Sequence, residues 1–333
     1  MNEKEINLGH GSGGRLMHRL IRELLLKKLS NPVLGELQDS ARLTGAGRIC
    51  FTTDSFVVSP LFFPGGDIGK LAVYGTVNDL AVSGAIPEYL SLAMIIEEGL
   101  GIKLLEKIVD SVANAARKAR VQVVTGDLKV VPRGSCDKIF INTAGVGRFI
   151  GRGSFSLKMV RPHDRIIVTG NIARHGLAVL AARKGLELGI NSDCAPLSGL
   201  LIPLLKRGCG VKFMRDPTRG GLATTLNEIA EGCGYGMLIN ESELPLSART
   251  AAACELLGID PLYVANEGAA VMIVEEDAVK NVLRLLHRHP LGKCAREIGE
   301  ISGETQKLVV LRTVNGSQRI IDMLTADPLP RIC

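Results

Sequence analysis

No tryptophan occurs in the 333 residues, and all aromatic residues together make up only 4%. Proteins that hold single-stranded nucleic acid stack bases on aromatic platforms, so this composition argues against that class. A dense basic block is also missing. Forty Lys and Arg against thirty-four Asp and Glu leave a net +6 spread along the chain, a mild attraction for anions such as nucleotides and far from a nucleic-acid footprint. No run of eighteen apolar residues exists, so nothing is expected to span a membrane. Met1-Asn-Glu-Lys-Glu5 is charged and leads into glycines, so no secretory signal is readable. None of the eight cysteines (50, 136, 194, 209, 233, 254, 294 and 333) belongs to a C-x-x-C pair, which excludes a zinc ribbon and a thioredoxin-like motif. Six of the seven internal ones lie in or beside apolar segments and are expected to pack as small hydrophobes, with Cys136 in a polar turn the exception. Cysteine usage without a disulfide framework suits a reducing compartment, and the expected location is cytoplasmic. A Walker A loop is absent, because Gly69-Lys70-Leu71 lacks both the spacing and the hydroxyl, and so is a kinase catalytic loop.

What is present is an ordinary globular balance, 46% hydrophobic and 22% charged, over a length that predicts two domains. Gly9-His-Gly-Ser-Gly-Gly14 formally matches G-x-G-x-x-G, but no strand can precede it. It is read either as a backbone cradle for an anion or as a flexible lead-in to an amphipathic helix over 15–29. The first half then alternates: strand 48–54, helix 68–83, strand 89–96, helix 101–119, strand 121–125 and strand 138–149. A linker over 150–164 is rich in Gly, Arg and Ser. After it come strand 165–170, helix 175–185, a helix near 197–207, helix 222–232, a helix near 249–257, strand 269–274 and helix 276–288. Strands near 294–301, 307–313 and 318–323 close the pattern, and the similar order of the halves hints at duplicated domains.

Acids fall where apolar structure is expected to stop: Asp54 after the first strand and Asp127 after the fifth element, followed by Lys129. Asn78-Asp79 interrupts the small-residue face of helix 68–83. Leaving such a pair unsatisfied would cost about 1–3 kcal/mol, so it is either bonded or binds a ligand. Arg215-Asp-Pro-Thr-Arg-Gly-Gly221 leads into a helix, where backbone N–H groups favour phosphate. Carboxylates hold hard cations, and Mg²⁺ is commonly shared between one or two of them and nucleotide phosphates. Asp54, Asp79, Asp127 and Asp216, with Lys129 and the basic turn, therefore describe a nucleotide site of a type other than the P-loop. The tail Asp327-Pro-Leu-Pro-Arg-Ile-Cys333 reads as an extended arm, since Pro328 and Pro330 suit neither helix nor central strand. Its thiol is either incidental on a frayed end or delivered to a site.

These residues make the sequence recognisable. His10-Gly-Ser-Gly-Gly14, Thr53-Asp-Ser-Phe-Val-Val58, Phe63-Pro-Gly-Gly-Asp67, Gly75-Thr-Val-Asn-Asp79, Val124-Thr-Gly-Asp127, Arg215–Gly221, Val264-Ala-Asn-Glu-Gly268 and Pro330-Arg-Ile-Cys333 together resemble the HypE family. These are carbamoyl dehydratases of [NiFe]-hydrogenase assembly, in the superfamily of aminoimidazole ribonucleotide (AIR) synthetase and selenophosphate synthetase. The tail separates that family from its superfamily relatives. The resemblance implies an α+β fold of two PurM-like, AIR synthetase-type domains that forms a homodimer through N-domain strands, with the C-terminal arm reaching the ATP site. The expected division is 1–35 as an N-terminal extension, 36–152 and 160–303 as the two domains, and 304–333 as the C-terminal segment. It implies that a carbamoyltransferase, HypF, places a carboxamide on Cys333 and that ATP is used to dehydrate it to a thiocyanate. The cyano group then passes to iron on a HypC–HypD complex. Cys333 would carry the reacting group, Glu267 would act as base, and Lys129 would orient the oxygen or assist proton transfer. Asp54, Asp79, Asp127 and Asp216 would hold Mg²⁺, and the same acids with Lys70, Asn78 and Arg219 would bind ATP. Leu128 departs from the small hydroxyl residue expected in Thr-Gly-Asp-x-Lys. Two other readings compete: a synthetase of the superfamily acting on a free small molecule, which would not need Cys333, and a non-catalytic carrier, which would not need the acids.

Overall fold

The four strands of the first half form one sheet in the order β1-β4-β2-β3, with α1 and α2 on a single face. They are β1 (Ile49–Phe56), α1 (Ile68–Val82), β2 (Ala85–Glu97), α2 (Ile102–Ala119), β3 (Gln122–Val131) and β4 (Ile139–Phe149). The computed structural model describes residues 5–7, 20–31, 47–150, 155–304, 306–323 and 332. The glycine-rich 9–14, the first turns of the helix expected over 15–29, the arm 324–331 and Cys333 lie outside the described residues. The end of that first helix is present as Ile21–Leu26 and Lys27–Leu29, with Leu24 buried.

α2 is amphipathic: Leu105, Ile108, Val112, Ala115 and Ala116 fall at helical spacing and are buried, the arrangement of a helix covering one side of a sheet. α1 is different. Nearly every residue from Ile68 to Ala81 is buried, with Lys70 and Asp79 the exceptions. A helix that is apolar all round is enclosed on all sides. Here one flank lies on β1, β4 and β2, while Ala81 and Val82 join a cluster with Leu197, Leu201 and Met272 of the second half.

Two strands run further than their residue pattern suggests. β1 continues past Asp54 to Phe56, and β3 continues past Thr125 to Val131. Both acids therefore stand inside strands and not at their exits. β1 and β3 are the two edges of the sheet, where one side of the ladder and one face meet solvent. Polar side chains there do not interrupt backbone pairing.

The second half is a seven-stranded sheet in the order β11-β10-β7-β9-β5-β8-β6. Its elements are β5 (Arg165–Val168), α3 (Arg174–Lys184), α4 (Ser198–Arg207), β6 (Val211–Arg215), α5 (Gly221–Cys233), β7 (Gly236–Asn240), α6 (Ala248–Leu257), β8 (Val271–Val274), α7 (Val279–Leu286), β9 (Arg296–Ser302), β10 (Val309–Arg312) and β11 (Gln318–Ile320). Only β10 and β7 pair in parallel; the other neighbours are antiparallel. β6 and β7 were not legible as strands, being five residues each with no run of alternation. The helix expected over 276–288 begins as a 3₁₀ turn, Glu276–Ala278. Of the described cysteines, Cys194 and Cys254 are buried, whereas Cys294 is exposed and so departs from the packing role expected of it. No helix among the described residues is long and apolar enough to cross a membrane.

Candidate functional site

The site is assembled against the C-terminal half of α1, where the two domains meet. Gly75 lets β1 approach the helix: a Cβ there would lie 2.8 Å from the Phe56 ring, with Asp54 Oδ2 the next polar atom at 3.6 Å. One turn further on, Asp79 Oδ2 accepts a hydrogen bond from Thr52 Oγ1 at 2.9 Å. Asp54 is fixed in turn by the Ser55 backbone N–H, 2.7 Å from its Oδ1. Strand β1 thus presents Thr52 and Asp54 from its helix-facing side to the acid on α1.

Asp216 follows directly on β6, in the turn that leads to α5. Gly220 and Gly221 both adopt positive φ, and a Cβ at Gly221 would collide with backbone atoms of Leu262, Tyr263 and Val264. Only glycine allows the helix start to pass so close to that segment. The contact carries the Val264–Gly268 loop up against the turn, and Asn266 fastens the two together. Its Nδ2 donates to the carbonyls of Pro217 and Val264, both at 3.0 Å, and its Oδ1 accepts from Ala173 N–H.

Glu267 is 3% exposed, and its backbone is gripped from two directions. The Asp193 carboxylate accepts from Glu267 N–H and, at 2.9 Å, from Gly268 N–H. The Glu267 carbonyl receives Asn78 Nδ2 at 3.2 Å. Asn78 also donates to the Ala195 carbonyl and accepts from Leu197 N–H. Its amide is therefore spent on backbone. The nucleotide-binding part expected of Asn78 is replaced by a structural one, because its side chain points across the domain junction and not into the cavity. Truncation to Ala should lower stability by several kcal/mol, since it leaves three buried backbone partners short at about 1–3 kcal/mol each. Urea unfolding reads this directly, and an unchanged midpoint would contradict the assignment.

Electrostatics joins these acids into one group. Burial is the main force raising the Asp79 carboxyl above its ordinary range, with the Asp54 charge adding to it against relief from Thr52, Arg215 and Arg219. Asp216 is raised by burial and then by Asp79. Glu267 is pushed well up, by burial first and then by Asp216, Asp193, Asp54 and Asp79. Crowded carboxylates disfavour one another's ionisation, and such perturbation concentrates at functional sites. Beside them opens a cavity of about 1050 Å³ whose lining includes Asp79, Asp216, Arg215, Arg219, Thr218 and Lys158. Phe155 and Phe213 stack at its wall with centroids 6.5 Å apart.

Three expected site residues lie elsewhere. Asp127 pairs across the sheet with Ala93, and Ala93 with Asn142, which faces Ser55. Paired residues share a face, and Ser55 is on the face opposite Asp54. Asp127 and Lys129 therefore project from the uncovered side of the sheet, more than half exposed and 3.3 Å from each other. Within one chain they do not join Asp54, Asp79 and Asp216. Lys70 is on the first turn of α1, with its Nζ 3.4 Å from the Gly65 carbonyl. Nine residues separate it from Asp79, roughly 13 Å along a helix at 1.5 Å per residue. Cys333 is outside the described residues, but its neighbour Ile332 is buried, and the Ile332 carbonyl receives His175 Nε2 at 2.6 Å. Asp193, Arg215, Asn266 and His175 were not singled out from sequence. Asn266 and Arg215 stood inside recognised motifs, whereas Asp193 and His175 carry no local signal and gain a role only through contacts far along the chain.

Comparison with known proteins agrees with this architecture. Residues 37–149 match the N-terminal domain, and residues 161–311 the C-terminal domain, of AIR synthase related protein. Carbamoyl dehydratase HypE of Escherichia coli K12 is 47% identical, covering 98% of this chain and 99% of the relative. HypE of Rhodobacter capsulatus is 46% identical over 100% and 99%. A crystal structure of the hydrogenase maturation protein HypE in complex with ATP superposes with a TM-score of 0.95 at 45% identity, covering 98% and 99%. HypE from a HypE–HypF complex superposes at 0.80, with 46% identity over 92% and 99%. The chain belongs to the HypE family of carbamoyl dehydratases, built from the two domains of the AIR synthase related proteins.

Proposed function

We propose that this chain uses ATP with Mg²⁺ to dehydrate an S-carboxamide on its own Cys333 to a thiocyanate, supplying cyanide for the iron centre of [NiFe]-hydrogenase. The observation that carries the reading is Glu267: a buried carboxyl, fixed through its backbone and under the charge of Asp216, Asp79 and Asp54, of which Asp79 and Asp216 line a cavity with arginines in its wall. Relatives of nearly equal length are named for this activity, and one is recorded with ATP.

A carboxamide oxygen leaves poorly. When it attacks the γ-phosphorus of ATP, the P–O bond to ADP breaks, one nitrogen proton is lost, and the oxygen is held as a phosphate ester. Expulsion of that phosphate with loss of the second nitrogen proton leaves the C≡N triple bond. Glu267, in its ionised form, would accept the first of these protons and release it before taking the second. Arg215 and Arg219 line the cavity beside the start of α5 and would meet the phosphates, which transfer chiefly through positioning and charge neutralisation. Asp54, Asp79 and Asp216 offer carboxylate oxygens that would hold Mg²⁺ together with the nucleotide. Among the described residues no three acid, histidine or cysteine groups stand close enough to hold a metal ion by themselves. The ion, when bound, would neutralise phosphate charge.

Asp127 and Lys129 enter this scheme through a second copy. The uncovered face of the N-domain sheet carries Ile49 and Phe51, both 67% exposed, and Ile95 at 43%. We infer that two chains pair there, so that each contributes Asp127 and Lys129 towards its neighbour's site; a monomer in sedimentation would remove this part. HypF is the expected donor of the carboxamide and HypC–HypD the expected acceptor of the cyano group, in the cytoplasm.

Incubation with the carbamoyltransferase, carbamoyl phosphate and ATP, followed by the mass of the C-terminal peptide, tests the function. A nitrile on Cys333 is expected. A carboxamide that persists with ATP would make the protein a carrier, and ATP turnover that survives Cys333→Ala would point to a free substrate.

A further inference from the structure

His175 lies in the first turn of α3 and is fully buried, with the Phe63 ring edge-on to it at 5.4 Å. Both ring nitrogens are engaged. Nε2 is 2.6 Å from the Ile332 carbonyl and Nδ1 is 2.9 Å from Ser192 Oγ. A carbonyl only accepts, so Nε2 carries the proton. Burial holds the imidazole pKa down at about 4, which leaves the ring neutral and Nδ1 an acceptor for the Ser192 hydroxyl. Ser192 Oγ is free to donate because its own acceptor side takes Cys194 N–H at 3.0 Å. Each group has one arrangement in which all are satisfied.

The same three-residue segment reaches the candidate base. Asp193, between Ser192 and Cys194, accepts the N–H groups of Glu267 and Gly268. Ser192 N–H is anchored to the Pro64 carbonyl at 2.8 Å, and Gly65 passes so close that a Cβ would lie 2.7 Å from the Ser192 carbonyl oxygen. The segment is pinned to the N-domain, grips the backbone of Glu267 on one side, and through His175 grips the backbone of the residue preceding Cys333 on the other.

We propose that His175 is a positioning residue for the reaction: its Nε2–H holds the Ile332 carbonyl, and the Ser192-Asp193-Cys194 segment couples that grip to Glu267, so that one rigid piece sets both the tethered substrate and the base. The proposal rests on the dehydratase reading. Tethered reactions depend on the near-attack geometry of the held group, and a displacement of about 1 Å can cost roughly 100-fold. His175 contributes no proton to the chemistry; it fixes the Ile332 carbonyl.

The test uses the full chain carrying a carboxamide on Cys333, with Mg·ATP added and conversion to nitrile followed by peptide mass. In His175→Ala the rate at saturating ATP should fall about 10- to 100-fold, while the ATP concentration for half-maximal rate stays within about twofold. In His175→Gln, whose amide can donate to the same carbonyl, much of the rate should return. Alkylation of the unmodified protein with iodoacetamide gives a second reading. Cys333 should react faster in His175→Ala, while Cys194, buried beside the same segment, stays protected. Wild-type rate and wild-type Cys333 reactivity in His175→Ala would overturn the proposal. So would alkylation of Cys194 together with Cys333, or a Gln variant no better than Ala, since either would make His175 a packing residue. Failure of the wild-type protein to form nitrile would sink the dehydratase reading itself, which keeps the two failures distinct.

Discussion

Glu267→Gln should load carboxamide on Cys333 normally, bind ATP normally and form almost no nitrile. The substitution keeps size and shape, so the grips by Asp193 on the backbone N–H and by Asn78 on the carbonyl survive. What is lost is the ability to take a proton. A positioned general base commonly contributes about 10²- to 10⁴-fold, and this reaction removes two protons from one nitrogen, so the upper part of that range is expected. Peptide mass after a single addition of ATP reads the loss. The Gln variant also removes a carboxyl whose burial and acidic neighbours favour its protonated form, so its folded state should be no less stable than wild type. Nitrile formation at the wild-type rate would remove Glu267 from the mechanism.

Asp216→Asn should abolish Mg·ATP binding in calorimetry and at the same time stabilise the nucleotide-free protein at alkaline pH. The sign follows from proton binding. Asp216 is raised above its ordinary carboxylate pKa, by burial first and then by the Asp79 charge. Between the unfolded and the folded pKa the native state holds more protons than the unfolded chain, so stability falls as pH rises through that window. Above it the native state carries an ionised, crowded carboxylate. Asparagine cannot ionise, so the melting temperature of the variant should depend less on pH and exceed that of wild type above the window. Asp79 has the same sign of shift and should behave alike. A variant that melts below wild type at alkaline pH would show that Asp216 serves the fold and not the ligand, and unchanged ATP affinity would remove it from the nucleotide site.

These two results concern residues that the sequence had already singled out, one by its local chemistry and one by resemblance. Asp216 stands in a glycine-flanked basic turn ahead of a helix, whereas Glu267 was named through the family resemblance of the Val264–Gly268 motif. Helices α2 and α5 were legible from periodicity, because each buries a face against a sheet, whereas α1 is enclosed on nearly all sides. Strands β6 and β7 were not, since five residues within a large sheet take their conformation from neighbours and not from their own pattern. His175 and Asp193 were invisible for a related reason. His175 meets a partner 157 positions away, and Asp193 meets partners 74 and 75 positions away, and no local spacing encodes such a meeting.

The sequence by itself determined the chemical inventory: oxygen donors for a hard cation, a basic turn for phosphate, and a thiol on a proline-stiffened arm. Only the tertiary structure decided which of the acids can act together. Strand alternation would carry the inward set of β3 from Val123 through residues 125 and 127. The ladder with β2 instead slips by one, pairing Leu90 with Val123 and Ser91 with Thr125, so that Val124 is an extra residue in β3. One inserted residue moves everything beyond it to the other face. Leu128 turns inward and is 2% exposed, while Asp127 and Lys129 turn outward, away from the carboxylates with which their spacing had grouped them. That bulge is a property of two strands and the helices packed on them, and it divides the acids between two faces of one sheet.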